Sequence, residues 1–126
     1  MQTIQQKRAK YALCKVQEAI KDGVNQKEYK AYAANFPAMI HINGLGQAAA
    51  FFKSQGNTHE VLYQLLSDWL CGKVDYAKTQ PLQGTNDLLD GITSKDMYHY
   101  QTAQAEAQAL MDWVKKFAKA FMDGDT

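Results

Sequence analysis

Apolar residues recur along most of this chain at helical spacing, and glycine, proline and capping residues mark the breaks. Thr3 followed by Gln6 forms the pattern of a capping box, and beyond it Ala9, Ala12, Leu13, Val16, Ala19 and Ile20 share one face. A first helix is therefore predicted to end near Gly23, a natural C-terminal cap. A second is predicted from about Gln26, with Tyr29, Tyr32, Ala33 and Phe36 on one side. Pro37 has no amide hydrogen to donate and predicts a boundary or kink, followed by a short helix over 38–42. Past Gly44, which tolerates positive φ, the spacing resumes through Leu45, Ala48, Ala49 and Phe52.

Gly56, Asn57 and Thr58 close that element and open the next, with Asn57 or Thr58 as its cap. There Val61, Leu62, Leu65, Leu66, Trp69 and Leu70 make a broad apolar stripe that ends at Gly72. Residues 73–93 contain Pro81, Gly84 and Gly91 among scattered polar positions, which predicts a long mobile loop with one short turn around 86–90. A final helix is predicted from Ser94 to about Met122, ~40 Å long at about 1.5 Å per residue. Its stripe takes in Ala103, Ala107, Leu110, Met111, Val114, Phe117, Ala118 and Phe121, with Lys115, Lys116 and Lys119 across from it. Alternation of period two, internal repeats and low-complexity tracts are lacking. The expected fold is all-α: one domain over 1–126, an irregular bundle of about five to six helices with a long C-terminal helix.

Composition agrees with a single folded core. The 126 residues are 46% hydrophobic and 21% charged with two prolines, enough for one domain and too few for two. The net charge of +1 means that nucleic acid would have to be met by local patches. Arg8 is the only arginine, which disfavours sequence-specific DNA readout by the bidentate guanidinium fork. Cys14 and Cys71 are isolated and suit reduced, half-buried residues. The first residues lack the apolar stretch of a signal peptide, and no apolar run approaches the ~20 residues of a membrane span, so a cytoplasmic protein is expected without a membrane partner.

Candidate chemistry is sparse. Gly44-Leu45-Gly46-Gln47-Ala48-Ala49 fits the G-x-G-x-x-A form of a dinucleotide fingerprint, but that motif works only between a strand and a helix, whereas both flanks here read as helical. A corner between helices is the better reading. His59-Glu60 lacks the second histidine of H-E-x-x-H, and His41 and His99 have no partner at metal-ligand spacing. Neither cysteine carries a nucleophile signature, and Asp87, Asp90 and Asp96 carry no sequence signal of a shielded pocket. No catalytic constellation, cofactor or metal is expected.

Surface patterning is more informative. Ile4, Arg8, Tyr11 and Lys15 form a narrow stripe on the first helix, read as separate from its core face, with an apolar and aromatic centre and a basic edge suited to a partner. Lys7, Lys10 and Lys21 lie on the opposite flank. Lys115, Lys116 and Lys119 make a further patch able to sit against an RNA backbone. Against each stands the plainer role of a solvated helix face, where most lysines are found.

Four segments in order resemble the Cmr small-subunit family of type III-B CRISPR effector complexes: Gln6-Lys7-Arg8-Ala9 with Ala12; Phe36-Pro37-Ala38-Met39-Ile40 leading into Asn43-Gly44-Leu45-Gly46-Gln47-Ala48 and Phe51; Leu65-Leu66-Ser67-Asp68-Trp69-Leu70; and 100–121, including Glu106-Ala107 and Trp113-Val114-Lys115-Lys116-Phe117-Ala118-Lys119-Ala120. Phe36 stands where that family often has leucine, and Lys116 where it often has arginine. The resemblance implies a helical, non-catalytic subunit in antiviral defence. It implies a monomer on its own that stacks in several copies beside other Cmr subunits and helps form the channel for guide RNA and target RNA, with cleavage left to other subunits. The expected contact residues are Ile4, Arg8, Tyr11, Lys15, Lys115, Lys116 and Lys119. A stand-alone helical adaptor, binding one protein through Ile4 and Tyr11 without RNA, is the alternative.

Overall fold

The computed structural model describes residues 1–123. It consists of α1 (Ile4–Lys21), α2 (Gln26–Asn43), α3 (Leu45–Gln55), α4 (Asn57–Leu70), α5 (Leu88–Ser94) and α6 (Met97–Phe121), with no strand among the described residues. None of these helices is long and apolar enough to cross a membrane. The longest, α6, packs along α1 and α2 and also meets α3, α4 and α5, while α3 bridges α2 and α4.

Local chemistry accounts for the starts of α1, α2 and α6, whereas α4 follows Gly56 with no side-chain cap, not the expected cap at Asn57 or Thr58. Thr3 Oγ1 accepts from the Gln6 amide and the Gln6 side chain accepts from the Thr3 amide, completing the capping box of α1. Asn25 caps α2 through the Glu28 amide. Asp96 caps α6 through the His99 amide, and its contact with the His99 ring holds its carboxyl below the ordinary range. That cap corrects the expected start of the last helix. Ser94 instead closes α5, where its hydroxyl donates to the Asp90 carbonyl.

Pro37 marks no boundary. Helix α2 runs unbroken from Gln26 to Asn43, replacing the expected break and short following helix. Pro37 is buried, and Gln108 of α6 donates to its carbonyl at 2.8 Å. Tertiary burial of Phe36 and Ile40 on either side compensates the missing amide bond. The expected turn around 86–90 is the helix α5. The segment before it folds inward: Leu82 is fully buried and its amide donates to the Leu70 carbonyl at 3.0 Å.

The core joins Val16 of α1, Phe36 and Ile40 of α2, Phe52 of α3, Leu62, Leu66 and Trp69 of α4, and the α6 stripe Ala103, Ala107, Leu110, Met111, Val114 and Ala118. Several expected core positions lie partly outside it, among them Ala9, Leu13, Ile20 and Tyr32, which are half-buried. Val61 is 43% exposed, Phe121 is 53% exposed, and Phe117 is half-buried. Cys71 is buried beside Thr85, whereas Cys14 is exposed rather than half-buried.

The turn at 43–47 is a junction of two helices. Gly44 sits at φ 88° and supplies no side-chain cap to α3. Helix α6 supplies it instead: Gln104 Oε1 accepts from the Leu45 amide at 2.9 Å, and the Tyr100 hydroxyl accepts from the Gly46 amide at 2.8 Å. A Cβ on either glycine would come within 3.3 Å of that hydroxyl. The amides that a phosphate would need are thus already bonded.

His59 stacks on Tyr32 at 3.7 Å between ring centroids and meets Phe51 and Phe52 edge-on. Burial lowers its pKa below the ordinary imidazole value, with Glu28 opposing the shift.

Two outcomes are expected. Gly44→Val should lower the melting temperature by several degrees, because a β-branched residue at positive φ stores about 1–3 kcal/mol of strain; an unchanged thermal melt would refute the role of Gly44. Since His59 takes up its proton at lower pH in the folded chain than in the unfolded one, its neutral form stabilises the fold above the ordinary imidazole pKa. That contribution declines as pH falls through the window below about 6.5. A pH series of melting curves should show this decline, and His59→Gln should flatten it.

Candidate functional site

The stripe on α1 divides once α6 is in place. Arg8 Nε donates to Glu106 Oε2 at 2.7 Å and Nη2 to Glu106 Oε1 at 2.8 Å, a bidentate fork between α1 and α6. Arg8 Nη1 reaches Gln5 at 3.1 Å, and Trp69 Nε1 of α4 donates to Glu106 Oε2 at 3.0 Å. The two charged side chains are only 17% and 12% exposed. Hydrogen bonding to Glu106 raises the Arg8 pKa further, against the opposing effect of burial. The chain's only guanidinium is therefore engaged in joining three helices.

Tyr11 lies in the core, not on a stripe separate from it. It is 4% exposed, its hydroxyl donates to the Leu65 carbonyl at 2.6 Å, and its ring lies 4.9 Å from that of Trp69. Burial pushes its phenol far up, with the Asp68 charge adding to the effect. The reason is rotational: the face of α1 bearing Tyr11 is the one turned toward α4. Ile4 is 45% exposed at the start of the helix. Lys15 is half-buried, with its ammonium 3.5 Å from Glu18.

Lys115, Lys116 and Lys119 are all exposed on the outer face of α6. Beside them runs an aromatic edge of Trp113, Phe117 and Phe121, of which the linear pattern assigns Phe117 and Phe121 to the core. Trp113 stacks on Phe117 at 5.5 Å and 28°, and Phe117 lies 6.2 Å from Phe121. Trp113 Nε1 donates to Gln5 Oε1 at 3.3 Å, tying this edge to α1. A shallow cleft of about 240 Å³ between the two helices is lined by Gln5, Ala109, Asp112, Trp113 and Lys116. An indole edge with an ammonium alongside matches what a nucleic-acid strand presents, a base face and a phosphate. The signal available in sequence is the i, i+4, i+8 spacing of the three aromatics at the margin of the apolar stripe.

On the other flank of α1, Lys10 sits 4.4 Å over the Tyr76 ring. The histidines fall into no common site: His41 is exposed, His59 is in the aromatic stack, and His99 pairs with Asp96.

The fork between α1 and α6 makes a specific prediction. Arg8→Lys keeps the charge but loses the paired geometry, so it should destabilise nearly as much as Arg8→Met, by about 2 kcal/mol for this largely buried pair. A double-mutant cycle of Arg8→Met with Glu106→Gln should give a coupling of about 1–3 kcal/mol in denaturant unfolding. Additive effects would show that the two side chains act independently.

Known proteins share this arrangement. Residues 4–121, from the start of α1 to the end of α6, match the family described as CRISPR-associated protein (Cas_Cmr5). The chain is 29% identical over 124 residues to the CRISPR system Cmr subunit Cmr5 of Thermus thermophilus, covering 98% of this chain and 99% of that one. It also superimposes on the X-ray crystal structure of a CRISPR-associated Cmr5 family protein from Thermus thermophilus, with a TM-score of 0.79, 30% identity and coverage of 97% and 100%. With the match running through all six helices, the chain belongs to the Cmr5 family of CRISPR-associated proteins.

Proposed function

We propose that this protein is a non-catalytic structural subunit of a CRISPR Cmr ribonucleoprotein, in which it stands beside other Cmr subunits and helps line the channel for guide RNA and target RNA. The observation that carries this reading is the exposed Lys115, Lys116 and Lys119 face beside the Trp113–Phe117 edge, on a chain whose family is that of a Cmr subunit. Lysines on a rigid helix give a sequence-independent attraction to phosphate, as suits a subunit that holds RNA of any sequence. The glycine turn supports the absence of nucleotide chemistry, since its amides cap α3 through Tyr100 and Gln104. Function inside the cytoplasm and stacking in several copies belong to the same reading.

Within this reading Lys15 is less suited to phosphate than the α6 lysines, because Glu18 already neutralises it. Arg8 supports the site indirectly by fixing α1 against α6, which keeps Gln5 beneath Trp113.

The test uses the reconstituted complex. Reversing Lys115, Lys116 and Lys119 to glutamate should leave subunit composition intact by native mass spectrometry. Target-RNA retention should weaken, and the slope of log K against log salt should flatten by about 2, at roughly 0.7 for each single-strand phosphate no longer neutralised. Unchanged RNA retention and salt dependence would favour an adaptor that contacts only protein.

A further inference from the structure

A second surface feature lies between the C-terminal half of α1 and the outer face of α4. It is a cleft of about 260 Å³ whose rim carries the carboxylates of Glu18, Asp22 and Asp68 against the single ammonium of Lys15. Its apolar wall is made by Ala19, Val61 and Leu65, and Gln64 donates to Asp68 at 2.8 Å. Tyr29 is the only lining residue from α2. Tyr29 has no exposed surface, and its hydroxyl is the one buried side-chain polar atom among the described residues without a hydrogen-bond partner.

Buried hydroxyls are almost always bonded, and one left alone costs stability. Here the unbonded group belongs to a residue that lines a net-acidic cleft. Burial, with the Glu18 charge adding to it, pushes the phenol well up, so it remains a neutral hydroxyl with its oxygen free to accept.

We infer that this cleft is a docking site for an arginine side chain presented by an adjoining protein chain. The guanidinium donates to the Glu18, Asp22 and Asp68 carboxylates, and its methylene stem lies along Ala19, Val61 and Leu65. A small outward turn of the Tyr29 ring on docking brings its hydroxyl, closed off in the free chain, within reach as a further acceptor. Charge complementarity selects a cation. The apolar wall and the small volume select a single side chain with an aliphatic stem, and the planar fork serves several carboxylates at once better than a strongly hydrated ammonium does. A second copy of this chain cannot be the donor, because its only arginine, Arg8, is engaged with Glu106. The donor is a different protein. The cleft also repels phosphate, which separates this contact from the lysine face of α6. Its occupancy does not depend on RNA binding.

The full chain can be titrated with N-acetyl-arginine amide, its uncharged citrulline counterpart and spermidine, followed by ¹H–¹⁵N NMR. The arginine probe should give saturable shifts at Ala19, Val61 and Leu65, at least tenfold tighter than the citrulline probe. Glu18→Gln with Asp68→Asn should weaken them at least tenfold. Tyr29→Phe should weaken them several-fold while leaving the melting temperature of the free chain unchanged or higher, since it removes a hydroxyl with no partner. Equal shifts with citrulline, or non-saturating shifts with arginine, would overturn the site. A lower melting temperature for Tyr29→Phe would mean that the hydroxyl already has a partner and would overturn its role. Tighter saturation by spermidine would reassign the cleft to a free polyamine and overturn the protein donor. If the double variant fails to fold, the citrulline comparison and Tyr29→Phe decide.

Discussion

Burial of the α6 stripe sets the positions of α1 and α2, and α3 and α4 build on α2 in turn. Ala103, Ala107 and Ala118 keep that face low, so α1 and α2 lie close against it, while Leu110, Met111 and Val114 fill the space between them. Apolar packing of this kind is strong but poor at setting register. Polar side chains projecting from the same helix supply the register. Tyr100 and Gln104 cap α3, Glu106 clamps Arg8 and Trp69, and Gln108 bonds the Pro37 carbonyl. Each bond is modest by itself, but each ties one position of α6 to a fixed place on another helix, and a slip of α6 by one turn would break all of them together.

This arrangement explains how a chain of near-zero net charge comes to have two electrostatically distinct faces. Because Arg8 and Glu106 neutralise each other inside the α1–α6 seam, they contribute little to the field outside. Much of the exposed charge gathers at two places of opposite net sign. Lys115, Lys116 and Lys119 stand on α6 beside Trp113, whereas Glu18, Asp22 and Asp68 gather where α1 meets α4. A Cmr5-family protein organised in this way carries a basic, aromatic edge, proposed to meet RNA, and an acidic cleft, proposed to take an arginine of another protein.

Much of this was legible in the sequence. Hydrophobic periodicity and the capping signals at Thr3, Gly23 and Gly44 determined the all-α class and the approximate extent of α1, α3, α4 and α6, because helix formation and capping depend on residues a few positions apart. The ordered segments from Gln6 to Phe121 were enough to suggest the family. Tertiary structure decided what depends on distant partners. Pro37 stays inside α2 because the packing of Phe36 and Ile40 outweighs a missing amide bond, and Tyr11 enters the core because α4 covers that side of α1. Arg8 is committed to Glu106, 98 residues away, which no local pattern encodes. The aromatic edge of Trp113, Phe117 and Phe121 is visible as a spacing, yet whether that spacing is core or surface is set by which face of α6 the other helices cover. The acidic cleft is not visible at all, since its carboxylates come from two helices and its hydroxyl from a third, and only folding brings them together.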